Sequence, residues 1–458
     1  MTYNLTLEKV LEAREKRGKI RIQYARNTIS LTLNIPGFPK SNSLIQFFFE
    51  QTVVDLVDFL RSYNILLEIN NSQNFIDDAG NFFIAPFYNN FLNIFEIKKI
   101  CEEFEQKHKI GRIIDIDVFD ENGKPISSNT LKNCLICESK PAIHCIREQK
   151  HSFTELRETV FSKIEAFLYD KKAKSFIRNI SVNATKSLLC ELSISPKPGL
   201  VDFQNSGSHK DMNYVTFINS ISSLSIIWQQ FSEEGLKYSG NLSDVLPLIR
   251  QIGLKAEKLM FSETNNVNTH KGIIFLLGLS CFSTAYCYKI KKEINYNFIS
   301  EIIKKICKNI VENELENSKL NPKTHGEIVY KRYGKIAGGA RSEAQSGFSL
   351  IFIKILPVIE NEITDEILLN QNKFNQILQK ILSLIISLNN DTNILYRTDI
   401  EILNQTKKLA EKAFNENEKY VDLCNFCKEK NISAGGSADI LAVSLFFFFI
   451  KKNNNYEF

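Results

Sequence analysis

The sequence predicts two domains, an α+β domain followed by an all-α domain, and three observations predict them. A chain of 458 residues is too long for one ordinary hydrophobic core, since folding units hold roughly 100–200 residues each. Up to about residue 170, short β-rich runs alternate with amphipathic runs, whereas beyond it the apolar spacing is helical almost throughout. Between them lies the polar stretch Asp170-Lys-Lys-Ala-Lys-Ser175, where the apolar periodicity lapses. The domains are therefore expected to span 1–172 and 173–458.

In the first domain, strands are expected at Ile29–Leu33 and Ile110–Phe119, and helices at Leu7–Arg17, Leu44–Tyr63 and Ile94–His108. Ser152-Phe-Thr-Glu155 has the form of a capping box and opens a helix expected to end near Tyr169. In the second, helical spacing covers Ile177–Leu192, Tyr214–Gly235, Leu242–Met260, Gly272–Lys291, Tyr296–Leu315, Glu343–Ile359, Phe374–Leu388, Leu403–Asn415 and Ala438–Lys451. No strand runs of comparable strength occur there, and no internal repeat recurs at a fixed period.

Composition narrows the function classes. With 43% apolar residues and 34 Phe the chain can bury sizeable cores and is globular. A net charge of +5, without a run of five like charges, gives no footprint for nucleic acid and suits small anionic substrates. The first residues do not form a secretion signal, and the most apolar stretch, Ile440–Ile450, is about half the length of a membrane span. A cytoplasmic protein with no membrane partner is expected, and its ten cysteines as reduced thiols.

Gly111-Arg112-Ile-Ile-Asp115-Ile-Asp117-Val118 reads as an apolar strand whose two aspartates, at i and i+2, share a face. Such a pair can hold Mg²⁺ while the ion keeps positions for phosphate oxygens, or it can be the polar edge of a half-buried strand. Downstream, Cys134-x₂-Cys137-x₇-Cys145-x₅-His151 offers three thiolates and an imidazole. That is the ligand set of a closed structural zinc site, and equally a set of small residues around a tight turn.

Together with Ala13-Arg-Glu-Lys-Arg17, Asn34-Ile-Pro-Gly-Phe-Pro-Lys40 and Arg147, these motifs resemble the apo-citrate lyase phosphoribosyl-dephospho-CoA transferase family over about residues 5–165. The resemblance implies a nucleotidyltransferase-like domain in which a serine of the apo acyl carrier protein of citrate lyase attacks phosphorus and pyrophosphate leaves. It implies that Asp115 and Asp117 hold Mg²⁺ and that Lys40, Arg112 and Arg147 neutralise phosphate charge.

The second domain carries charged or amide side chains in its helix connections. They are Glu191-Leu-Ser-Ile-Ser-Pro-Lys197-Pro-Gly-Leu-Val-Asp202 with Asn205, His209 and Asp211; Asn268-Thr-His270-Lys271-Gly272; Thr324-His325-Gly326; Gly338-Gly-Ala-Arg341-Ser-Glu343; Asp391-Thr-Asn393; and Gly435-Gly-Ser437-Ala-Asp439. Asn268 or Thr269 is expected to cap a helix whose first turn holds His270 and Lys271, and Ser437 to cap another, each leaving free N–H groups for phosphate. Any one of these is as well read as an ordinary helix cap; their coincidence with Asp and His points to a polyphosphate site.

In order, these stretches resemble the triphosphoribosyl-dephospho-CoA synthase family over about 175–458, although Arg397-Thr-Asp399 stands where Arg-Gly-Gly is expected, and Phe203, Ser208 and Ser342 also depart from the pattern. The resemblance implies reaction of ATP with 3′-dephospho-CoA, releasing adenine. Displacement at ribose through an oxocarbenium-like state needs a base, an acid and Mg²⁺ on the triphosphate. Asp202, Asp211, Glu257 and Glu343 are the carboxylate candidates, and His209, His270 and His325 could move protons or contact phosphate. Lys197, Lys271 and Arg341 could neutralise charge, while Asn205, Asn268, Gly272, Asp391 and Asp439 complete the expected substrate contacts. A different reading of the first domain makes it a zinc-knuckle dock for the carrier protein without catalysis.

Overall fold

In the computed structural model, which describes residues 2–89, 91–127, 133–137, 140–317, 322 and 324–454, the chain divides into two units, Met1–Lys172 and Ala173–Phe458. Unit 1 is built from helices α1 (Thr2–Gln23), α2 (Ser43–Ser62), α3 (Ile94–Lys107), α4 (Ala142–Arg147) and the start of α5 (Phe153–Ser193), with strands β1 (Thr28–Leu33), β2 (Leu66–Leu67), β3 (Gln73–Asp77), β4 (Gly80–Tyr88) and β5 (Ile114–Phe119). The strands form one antiparallel sheet in the order β2-β4-β1-β5, with β3 also paired to β4.

Alternation sets the two faces of this sheet. Ile29 and Leu31 of β1 share a core with Phe83, Ala85, Ile116 and Val118, and that face packs on α2, α3 and the first turns of α5. The opposite face carries Ser30, Thr32, Phe82, Asp115 and Asp117, and there α1 lays Arg17 over the Phe82 ring (4.7 Å) and Arg21 over Phe119 (4.3 Å). Asn93 and Glu96 close a capping box at the start of α3. Gly111 admits the turn into β5: a Cβ there would lie 1.6 Å from the Glu105 carbonyl oxygen.

Three expectations are corrected. The strand begins at Ile114 because residues 111–113 form a 3₁₀ turn, which moves Arg112 off it. Strands β3 and β4 had no counterpart in the sequence reading. The helix opened at Ser152 does not stop near Tyr169: α5 continues through the polar stretch to Ser193, its charges taking surface partners such as Asp55 for Lys171 and Lys109 for Asp170.

Among its described residues unit 2 contains helices joined by loops and no strand. After the end of α5 come α6 (Tyr214–Leu224), α7 (Trp228–Lys237), α8 (Leu246–Glu263), α9 (Lys271–Lys291), α10 (Tyr296–Ile306), α11 (His325–Tyr333), α12 (Gly339–Gln345), α13 (Leu356–Glu362), α14 (Asp365–Leu368), α15 (Gln371–Leu388), α16 (Thr392–Arg397), α17 (Ile400–Asn415), α18 (Tyr420–Glu429) and α19 (Gly435–Asn454). The expected run Tyr214–Gly235 is thus two helices, and Glu343–Ile359 is interrupted by a π-helical stretch at Leu350–Ile355. α9 and α19 are apolar nearly all round because both are interior. α9 is long and apolar enough to cross a bilayer by composition, yet 72% of that window is buried. Ile440–Ile450, the most apolar stretch of the sequence, is core as well.

Candidate active sites

In unit 2 the ends of four helices meet. Glu191 near the end of α5, Lys197 and His209 in the following loop, Lys271 and Gly272 opening α9, Glu343 in α12 and Asp439 near the start of α19 line a cavity of about 260 Å³. Lys197 Nζ is 2.7 Å from Glu191 Oε1, and the pair is buried, an arrangement that costs desolvation and persists only with close partners. Asp439 is held well above the usual carboxylate range by burial, with Glu191 and Asp391 adding repulsion. Burial also lifts Glu343 to about 7, although the Ile351 and Leu350 N–H groups hold it back. Gly272 lets α9 approach Asp439: a Cβ there would sit 2.3 Å from Asp439 Oδ2.

A second cavity, of about 680 Å³, adjoins the first through Asn268, Lys271 and Gly272. Its lining is more basic. Lys271 Nζ lies 3.1 Å from Glu257 Oε2, Glu314 bonds both Arg250 and Arg341, and the His325 ring stacks on Tyr396 at 3.8 Å. Asn268 accepts from Lys271 N (3.2 Å).

His270, expected in the first turn of a helix and as a proton carrier, is instead the residue before α9. It is buried and bonded to Ser220 Oγ at 2.6 Å, and burial, with Lys197 nearby, takes its imidazole down to about 3. It is neutral at pH 7 and shapes the cavity wall. His209, also pushed down by burial and by Arg397, bonds Ser433 Oγ at 2.9 Å.

Asp202, Asn205, Asp391 and Asp211 are the other expected residues whose contacts the structure gives. Asp202 is buried with its oxygens taken by the N–H groups of Lys197, Gln204 and Asn205, so it ties the loop together; Asn205 bonds back to it and to Gly207 N. Asp391 accepts from Asn393 N, Ser437 N and Ser437 Oγ. It thereby fills the anion position at the start of α19, and Ser437 lies inside that helix instead of capping it. Asp211 is exposed and lines neither cavity. The sequence reading selected neither Glu191 nor the pair Arg250 and Glu314. Glu191 had a signal, since it opens the Pro-Lys-Pro-Gly stretch; Arg250 and Glu314 sit in ordinary amphipathic runs and had none.

In unit 1, Asp115 and Asp117 project on one side of β5 with Ile116 buried between them. They line a cavity of about 700 Å³ with Lys98, Glu102, Glu105, Arg112 and Lys163. Lys98 Nζ is 3.9 Å from Asp117 Oδ1 and donates to Ile116 O (2.7 Å). Arg112 is lowered by burial while Asp115 opposes the shift, and its Nε donates to the Asn133 carbonyl. Lys40 and Arg147 are not in this cavity. Lys40 donates to Ile35 O (2.7 Å) above the Phe38 ring, and Arg147 is exposed at the end of α4.

The ligand atoms of Cys134, Cys137, Cys145 and His151 lie within 4.8 Å of one another, the one such group of three or more among the described residues. At Cys134, burial is outweighed by the N–H groups of Cys137 and Ile136, which bring the thiol to about 7. Cys424 and Cys427 lie in α18, one partly and one fully buried, and among the described residues they belong to no group of three or more metal-ligand side chains.

A family model described as ATP:dephospho-CoA triphosphoribosyl transferase matches residues 177–458, and one described as apo-citrate lyase phosphoribosyl-dephospho-CoA transferase matches residues 5–167. Protein CitXG of Haemophilus influenzae is 30% identical, covering 98% of this chain and 97% of that protein. Protein CitXG of Leuconostoc mesenteroides subsp. cremoris is 32% identical, covering 96% of each. The 2-(5''-triphosphoribosyl)-3'-dephosphocoenzyme-A synthase of Haemophilus ducreyi is 32% identical over 66% of this chain and 96% of its own length.

Proposed function

This chain belongs to the family of fused transferases that join an apo-citrate lyase phosphoribosyl-dephospho-CoA transferase to an ATP:dephospho-CoA triphosphoribosyl transferase, and from that premise we propose how its two units divide the work. Unit 2 converts ATP and 3′-dephospho-CoA into 2′-(5″-triphosphoribosyl)-3′-dephospho-CoA and adenine. Unit 1 then transfers phosphoribosyl-dephospho-CoA to a serine of the apo acyl carrier protein of citrate lyase, and pyrophosphate leaves. The enzyme makes and attaches the citrate lyase prosthetic group, in a cytoplasmic setting that supplies both nucleotides.

The observation that carries the assignment of unit 2 is the cavity where Glu191, Lys197, Glu343 and Asp439 converge on the start of α9. In the reaction the 2′-hydroxyl of dephospho-CoA bonds to C1′ of the ATP ribose as the bond to adenine breaks. The hydroxyl proton passes to a carboxylate of the cavity, and adenine takes a proton as it departs. Glu343, titrating near neutrality, is the acid we assign to adenine, since a group with a pKa near the working pH transfers protons best. Lys271, Arg250 and Arg341 in the adjoining cavity suit a triphosphate.

In unit 1, Asp115 and Asp117 fit Mg²⁺ by donor type, two carboxylate groups on one strand face opening on a cavity. Such an ion, when bound, neutralises charge on the phosphates. The chain's own Arg112 and Lys98 would orient the transferred phosphate and offset the charge on the departing pyrophosphate. Basic groups lining the acid pair favour chemistry here over a passive dock. The test is mass spectrometry of apo carrier protein incubated with the enzyme, ATP, dephospho-CoA and Mg²⁺. The carrier should gain the mass of phosphoribosyl-dephospho-CoA, with at least one adenine released for each carrier modified; a carrier of unchanged mass sinks the reading.

A further inference from the structure

Cys137 Sγ lies 3.8 Å from Cys145 Sγ and 3.1 Å from His151 Nε2, and no disulfide joins any of these cysteines. Zinc held by thiolates at about 2.3 Å in a tetrahedron sets its sulfurs about 3.8 Å apart. His151 presents Nε2 to the sulfurs, while its Nδ1 faces Glu155 Oε1 at 3.7 Å. A carboxylate on the far nitrogen is the usual way a metal-bound histidine is oriented. Cys134 and Cys145 are each 5% exposed, and Cys137 and His151 are partly buried, so the four donors converge on a point largely withdrawn from water, as in a structural site.

The same segment is one wall of the cavity lined by Asp115 and Asp117. Asn133, Cys134 and Leu135 all line it. The carbonyl of Asn133 accepts from Arg112, and that of Leu135 accepts from Lys163 at 3.4 Å. Whatever fixes Cys134 therefore fixes two carbonyls that aim basic side chains at the acid pair.

We propose that Cys134, Cys137, Cys145 and His151 bind one zinc ion, with Glu155 positioning the histidine, and that the ion holds the wall from which Arg112 and Lys163 reach the Asp115 and Asp117 cavity. The three thiols give their protons to solvent on binding and no redox step is involved. The metal site stands on geometry alone; its effect on transfer rests on the function proposed for unit 1, and the two are read separately.

The first measurement is metal content of the full chain purified without chelators, together with the absorption of protein reconstituted with Co²⁺. Zinc near one atom per chain, and intense sulfur-to-cobalt charge-transfer bands, are expected. Zinc well below one, or a cobalt spectrum without thiolate bands, overturns the site, and neither reading depends on a variant folding. The second uses Cys137→Ser, which should lose the zinc, with Cys424→Ser keeping it as the control; zinc retained by Cys137→Ser also overturns the site. Glu155→Gln should weaken zinc affinity by about tenfold. The third is a split of activities in zinc-stripped protein. Transfer from preformed triphosphoribosyl-dephospho-CoA should fall by at least about tenfold and return on adding zinc, while adenine release from ATP stays unchanged. Equal transfer with and without zinc overturns the positioning role and leaves the metal site standing.

Discussion

Both units place carboxylates at their cavities, but by opposite means. Asp115 and Asp117 stand half-buried on one face of a strand and open to the cavity, with Lys98 and Arg112 beside them. Glu343 and Asp439 are sunk among helix ends, where burial raises both. An anionic pair near cations suits holding a divalent ion against phosphate, whereas a buried carboxyl that keeps its proton suits delivering one to a leaving base. The difference teaches that the reaction assigned to each unit follows from the environment of its acids more than from their number.

The sharpest way to break this comparison is to neutralise one acid on each side. Asp115→Asn should reduce carrier modification from preformed triphosphoribosyl-dephospho-CoA by a hundredfold or more, on the order of what loss of a charge-stabilising group costs, and leave adenine release intact. A folded variant that lost both activities would show that the units do not divide the work. Glu343→Gln should do the reverse, lowering adenine release by about a hundredfold, as followed by chromatography of free adenine.

The same substitution sharpens the comparison through pH. Glu343 titrates at about 7 when folded, against 4.5 ordinarily, so the folded state holds an extra proton between those values and its stability falls as pH rises from about 4.5 to about 7. Above pH 7 the loss approaches about 3 kcal/mol. Glu343→Gln should abolish it, so the variant's melting temperature should exceed that of the parent above pH 7 and converge with it below pH 4.5. Parallel melting curves at every pH would place the carboxyl in a wetter setting than the cavity described. Asp391 offers a smaller, purely structural contrast. It is buried and accepts from three donors, so Asp391→Ala should cost about 2 kcal/mol in urea unfolding of unit 2 without altering transfer by unit 1.

How much of this was legible depended on whether the signal was local. β1 and β5 alternate apolar and polar residues and could be read, but β4, Gly80–Tyr88, is buried along nearly its whole length and contains Pro86, so it shows neither alternation nor ordinary strand composition. The polar stretch at Asp170 looked like a break because a solvent-facing helical turn and a linker share the same residues. For the sites, motifs identified the side chains that converge on one cavity, among them Lys197, Lys271, Glu343 and Asp439. Sequence could not show that backbone N–H groups claim Asp202 and Asp391, since an aspartate that clamps a loop and one that meets a substrate have the same neighbours in the chain. Nor could it show that His270 is dry, which depends on Phe217 and Ser220, some fifty positions away.

The mildest expected effect concerns Lys271, where the two cavities of unit 2 join. A triphosphate carries about four negative charges, and a helix N-terminus contributes only about half a positive one, so side-chain cations and any bound Mg²⁺ must supply most of the compensation. Lys271 opens α9, is half-exposed and pairs with Glu257 at 3.1 Å, a partly solvated pair of small worth to stability. Lys271→Met keeps side-chain length and helix propensity while removing the charge. Its melting temperature should therefore stay close to that of the parent, while kcat/KM for ATP in adenine release falls by about tenfold, equivalent to about 1.4 kcal/mol. Transfer from preformed triphosphoribosyl-dephospho-CoA should be untouched, because that step is assigned to unit 1. Unchanged ATP kinetics would make Lys271 a solvated helix-end lysine, and the triphosphate would then have to be held by Arg250 and Arg341, the cations that now share Glu314 in the same cavity.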